Sequence, residues 1–252
     1  MNEAIVVKKL HKSYGDSVAV DELDFTVFRG EIFGLLGANG AGKSTTIECV
    51  LGTKRADRGE LTVLGMNPRA KRKKLFERVG VQFQEANYQE KIRVDELCEV
   101  TASLYRSPKN CEKLLDRFGL SDKKKSLVAE LSGGQKQRLF IVLALIPNPE
   151  VVFLDELTTG LDTKARRSVW KCLAELKEKG LTILLSSHFM DEVEVLCDRV
   201  CILKNGIAVF TGTVEQAVAT SPCENFEDAY LWYSGDEEEE EESLKQISDT
   251  PP

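Results

Sequence analysis

The stretch IFGLLGANGAGKSTTIECVL, residues 32–51, decides the fold. Ile32–Leu36 is apolar without alternation, the pattern of a strand buried on both faces of a parallel sheet. Ser44–Leu51 reads as a helix. Between them, Gly37 to Ser44 fits G-x-x-x-x-G-K-[ST], and a strand before with a helix after is the context that pattern requires. Glycines let the backbone curl, so that consecutive N–H groups can point at a phosphate, which makes Gly37, Asn39, Gly40, Ala41, Gly42, Lys43, Ser44 and Thr45 candidate binding residues. The helix N-terminus adds the positive end of its dipole. Lys43 is then placed to neutralise the outer phosphate oxygens, and the Ser44 hydroxyl to ligate a magnesium ion.

Outward from this loop, β-like runs alternate with helical patterns. Strands are predicted at Ile5–Lys9, Phe25–Phe28, Ile32–Leu36, Glu60–Leu64, Val79–Gln82, Val151–Leu154, Leu181–Leu185, Val200–Lys204 and Ile207–Thr211. Helices are predicted at Ser44–Leu51, Ala165–Lys179 and Met190–Leu196. The tight turn Phe28–Glu31 suggests an antiparallel edge on the parallel core. Residues 85–147 read differently: Asp95–Tyr105, Asn110–Phe118 and Gly134–Leu145 are helical with no strand between them, a helical subdomain inserted in an α/β chain. The expected division is one α/β domain over residues 1–235 and a disordered acidic tail over 236–252, which holds too little apolar surface to offset the entropy of ordering.

The 252 residues are 42% hydrophobic and 30% charged, which excludes disordered and fibrous classes. The longest apolar run, Leu139–Ile146, is far short of the roughly 20 residues of a membrane span. Met1–Leu10 has no stretch fit for a signal peptide. A soluble, cytoplasmic chain is expected. Seven cysteines without a CxxC pair read as reduced thiols, and two histidines exclude a His-rich metal site. The net charge is −7, and the eight acids and one lysine from Asp236 onward account for all of it. The balanced body excludes a bulk nucleic-acid binder; the basic run Arg69, Lys71, Arg72, Lys73 and Lys74 reads as a solvated helix face.

A second element, Val151-Val-Phe-Leu154-Asp155-Glu156, is a buried strand that delivers two acids at its C-terminal end. Asp155 is suited to hold the magnesium ion. Glu156, its neighbour pointing elsewhere, is suited to polarise an attacking water. A third, Leu131-Ser132-Gly133-Gly134-Gln135, opens a helix sixteen residues before that strand. Ser132 can cap the helix, and the glycines let its N–H groups approach a phosphate.

Together these motifs resemble the ATP-binding cassette (ABC) ATPases over about residues 3–233. The resemblance implies ATP and Mg²⁺ as cofactors and a homodimer arranged head to tail. Two nucleotides would lie at the interface, each between one subunit's phosphate loop and the partner copy's Ser132–Gln135 signature. It implies further roles position by position. Tyr14 matches the aromatic that stacks on adenine, and Gln84 the glutamine that touches Mg²⁺ and the attacking water, with Gln82 its rival in register. His188 matches the histidine at the γ-phosphate, and Asp162, in Thr159-Gly-Leu-Asp162, the acid that crosses the interface. The chain departs from the family pattern at Ala38, where many relatives carry proline, and at Leu157, where proline would stiffen the turn after Glu156.

Ser187–Arg199 and Phe226–Tyr233 resemble one branch of the family, the daunorubicin-resistance-like drug and antibiotic exporters. There the ATPase is a separate polypeptide at the cytoplasmic face of the membrane, docked on a transmembrane permease subunit whose coupling helix would sit against residues 85–93. A soluble assembly ATPase of the iron–sulfur scaffold type, an importer subunit and a catalytically dead regulatory cassette are the alternatives. The presence of Lys43, Asp155, Glu156 and His188 speaks against the last.

Overall fold

The computed structural model of the chain describes residues 2–82, 88–156, 158 and 161–235. Gln84, Leu157 and the acidic tail from Asp236 lie outside the described residues. In chain order the elements are β1 (Glu3–Tyr14), β2 (Ser17–Phe28), β3 (Ile32–Leu36), α1 (Lys43–Val50), β4 (Arg58–Val63), α2 (Arg72–Phe76) and β5 (Val79–Gln82). There follow α3 (Val94–Ser103), α4 (Cys111–Arg117), α5 (Gly133–Leu145), β6 (Val151–Asp155), α6 (Thr163–Glu178) and β7 (Thr182–Ser187). The chain continues through α7 (Met190–Leu196), β8 (Arg199–Lys204), β9 (Ile207–Gly212), α8 (Val214–Ala219) and α9 (Phe226–Ser234).

Two sheets carry the fold. The larger runs β5-β6-β7-β3-β8-β9, parallel throughout except for β9. Every residue of β3, β6 and β7 is buried, as expected of central strands covered on both faces. The smaller sheet, β2-β1-β4, is antiparallel. The turn Phe28–Glu31 therefore joins strands of different sheets, and the antiparallel edge of the parallel sheet is β9.

Alternate residues of the central strands feed two cores. Phe33, Leu35, Val151, Phe153 and Leu184 pack with Ile5, Val7, Leu23 and Val27 between the sheets, where the Phe25 and Phe33 rings stack at 5.3 Å. Ile32, Val152, Leu154, Ile183 and Leu185 face the other way. They form one continuous cluster with Val94 and Cys98 of α3, Leu114 of α4, Val142 of α5 and Trp170 of α6. The helical stretch between β5 and β6 thus buries its apolar face against the same sheet that carries β3. At Gly80 of β5 the α5 backbone comes so close that a Cβ would lie 1.9 Å from the Ala144 carbonyl oxygen.

Several helices start where a side chain satisfies one of their unpaired N–H groups. Asn110 accepts from Lys113 N at α4, and Asp162 from Ala165 N at α6. At α5 the Ser132 hydroxyl accepts from Gln135 N while the Gln135 side chain accepts from Ser132 N, a reciprocal capping box. The turn Asn205-Gly206, between β8 and β9, meets both the small sheet and the glycine-rich loop. Gly206 N–H donates to Ala41 O at 3.2 Å, and Asp21 N–H donates to Gly206 O at 2.9 Å. Gly206 has φ +81°, and a Cβ there would sit 2.8 Å from Ala19 O, so glycine is required on both counts.

Candidate functional site

The loop from Gly37 to Gly42 leaves the buried end of β3 and enters α1, with Gly42 in the left-handed conformation at the helix N-cap. It is held from outside: a Cβ on Gly42 would fall 2.5 Å from Ala19 O of β2. Residues Ala19, Asn39, Gly40, Gly42, Lys43, Ser44, Thr45 and Glu156 line a cavity of about 390 Å³, within the size range of small-ligand sites. The Lys43 ammonium is nearly buried, and its Nζ donates to Gly37 O at 2.7 Å and Ala38 O at 3.0 Å. Burial lowers its pKa, while the charges of Glu156 and Asp155 raise it. A cation held this way, amid backbone N–H groups at a helix start, suits a polyphosphate.

The two acids at the end of β6 part company. Asp155 turns inward, accepting from Ser186 Oγ and, at 3.3 Å, from Ser44 Oγ. Glu156 follows with φ +48°, a strained conformation for a residue other than glycine. Its N–H is fixed by Ser186 O at 3.2 Å and Ser186 Oγ at 3.1 Å. This turn brings Glu156 to the cavity wall, and His188 Nδ1 lies 3.9 Å from its Oε1. Ser44 and Asp155 offer hard oxygen donors to Mg²⁺, an ion that takes one or two protein oxygens and completes its shell with phosphates and water. The described residues accordingly contain no group of three or more His, Cys, Asp and Glu suited to hold a metal alone.

Other candidate residues stand apart from this cavity. Tyr14 ends β1 with its ring 45% exposed, flanked by Lys12 Nζ at 5.1 Å and Lys54 Nζ at 5.3 Å. Ser132 and Gly133 are exposed at the start of α5, with Gly134 and Gln135 half-buried behind them. A Cβ on Gly134 would meet Leu161 and Ala165, which places the signature beside the start of α6. Asp162 caps α6 within its own chain. Gln84 lies outside the described residues, whereas Gln82 is buried at the end of β5. Ser186, which holds Asp155 and Glu156 together, is absent from the sequence-predicted set. Its signal is two serines closing the apolar run Ile183–Leu185, where hydroxyls would be out of place unless bonded.

Comparisons with known proteins identify the family. A family model described as ABC transporter matches residues 20–159. The Nod factor export ATP-binding protein I of Bradyrhizobium diazoefficiens is 43% identical over 84% of this chain and 71% of its own length. That of Sinorhizobium fredii is 42% identical over 83% of this chain and 62% of its own, so these relatives extend well beyond the matched region. A solved ATP-binding subunit of an ABC transporter superimposes with a TM-score of 0.84 at 28% identity, covering 92% of this chain and 99% of that one. An ABC-transporter cassette in its ADP conformation does so with a TM-score of 0.74 at 26% identity, covering 88% and 96%. Phosphate loop, paired acids, sheet order and family match converge: the chain belongs to the ABC transporter family, as an ATPase subunit.

Proposed function

We propose that this subunit drives export, hydrolysing Mg-ATP in a head-to-tail homodimer bound to a separate membrane permease at the cytoplasmic face. One observation carries the reading: Lys43 and Glu156 face the same cavity, while the Ser132 signature is exposed elsewhere on the chain. On this reading one subunit supplies the phosphate contacts and the general base, and its exposed signature completes the site of another. In this site Lys43 would exchange the carbonyls of Gly37 and Ala38 for β- and γ-phosphate oxygens. Ser44 and Asp155, with Gln84, would hold Mg²⁺; Glu156 would take the proton of the attacking water; His188 would contact the γ-phosphate. Tyr14 would stack on the adenine, and Asp162 would reach the partner's site. The export direction is supported by the Nod factor export relatives and by the exporter-like stretches Ser187–Arg199 and Phe226–Tyr233, from which the narrower drug-exporter resemblance derives. No helix among the described residues is long and apolar enough to cross a membrane, in keeping with a pore made by another chain.

Lys43→Ala and Ser132→Arg should each abolish ATP hydrolysis as homodimers. In a mixed dimer one interface carries both lesions and the other neither, and the intact site should restore up to about half of the activity. A linked dimer with both changes in one half damages each site once and should be silent. Equal phosphate release from the two arrangements would mean that each subunit hydrolyses ATP alone.

A further inference from the structure

Glu192, on α7, is only 1% exposed, and its carboxylate is tied to two other elements. Its Oε2 accepts from Ser187 Oγ at 2.6 Å, and its Oε1 accepts from Trp170 Nε1 of α6 at 3.1 Å. The Ser187 oxygen in turn accepts the N–H of Phe189 at 3.0 Å. These bonds run through residues on both sides of His188, so the turn that presents the imidazole is clamped before and after it. Burial pushes the Glu192 carboxyl up, and the bonds from Ser187 and Trp170 work against that shift.

Burying a carboxylate is unfavourable, and an apolar side chain of similar size would serve packing as well or better. Packing therefore leaves the carboxylate unexplained, whereas directional bonding to Ser187 and Trp170, passed on to Phe189 through the Ser187 hydroxyl, explains it. We propose that Glu192 is a positioning residue for ATP hydrolysis, holding the His188 turn in register. This rests on the ATPase reading of the cavity given above. His188 itself is 40% exposed, with Glu156 Oε1 3.9 Å from its Nδ1 and the Phe189 ring 4.2 Å from its own.

The test uses the full chain with Glu192→Gln, and separately Ser187→Ala, which breaks the same clamp with a smaller change should the first variant fail to fold. Each should lower kcat about tenfold or more with KM for ATP within about twofold, the signature of an interaction lost at the reacting centre rather than in binding. The chain has two histidines, so the Cε1–H resonances of His188 and His11 can be assigned with one His11→Gln sample. At fixed pH the His188 resonance should move in both variants and the His11 resonance should not. An unchanged kcat, or a fallen kcat with an unmoved His188 resonance, would overturn the positioning role. If Lys43→Ala hydrolyses ATP as fast as the unmodified chain, the site reading fails instead, whatever the Glu192 variants do.

Discussion

Glu156→Gln is expected to stop ATP hydrolysis while leaving ATP affinity unchanged. The amide keeps the size and shape of the side chain at φ +48° and can occupy the same place on the cavity wall. It cannot attract a proton from water. Loss of a positioned general base removes about 10²–10⁴-fold in rate, and phosphate release should fall by that range. Equilibrium binding of ATP should match the unmodified chain, because Lys43 and the glycine-rich loop are untouched. With hydrolysis blocked, nucleotide should hold two copies together, and size-exclusion chromatography in Mg-ATP should show a shift from monomer to dimer. Hydrolysis at the unmodified rate would remove Glu156 from the reaction.

Gly80→Ala should produce the largest loss of stability of any single methyl added to the parallel sheet. The new Cβ would stand 1.9 Å from Ala144 O and 3.3 Å from the Pro149 ring. Neither neighbour is a flexible chain end, so α5 must move off β5. Overpacking against a rigid backbone costs about 3 kcal/mol or more. For a domain of this size that corresponds to a fall in Tm of about 10 °C. Because α5 begins at the Ser132 signature, the same shift should impair hydrolysis in the surviving folded fraction. A Tm within about 2 °C of the parent would show that helix and strand adjust to each other with little strain.

Much of this fold is written locally. Ile32–Leu36 and Val79–Gln82 are strands with those bounds, and Met190–Leu196 a helix with those bounds, since an unbroken apolar run or a clear helical period needs no distant partner to be recognised. The smaller sheet is less legible. Ile5–Lys9 and Phe25–Phe28 read as short strands, yet β1 and β2 run on to Tyr14 and from Ser17. Their extensions are rich in polar residues (His11, Lys12, Asp21, Glu22 and Asp24), and bulges near Lys9 and Glu22, both at positive φ, break the alternation that marks a half-buried strand. The site divides in the same way. Lys43 and Ser44 open the helix after one short loop, and Asp155 and Glu156 sit at one strand end, so spacing reveals them. The bonds that orient them do not follow from spacing, because Ser186 lies 31 residues from Asp155 and Trp170 lies 22 from Glu192. Only the folded sheet brings such pairs together.

The Asn205-Gly206 turn has a consequence for how the chain is made. Every motif up to His188 leaves the ribosome before this turn does, and the phosphate loop emerges among the first fifty residues. Yet Ala41 O is bonded by Gly206 N–H, and a Cβ on Gly37 would meet Leu203 O at 2.5 Å, so the loop's outer wall is supplied by β8 and the turn after it. A nascent chain whose first 198 residues had emerged would carry all of those motifs with the loop unsupported. Capture of ATP during translation should therefore begin late and abruptly, once β8 and β9 have zipped onto the sheet, rather than grow as each motif appears.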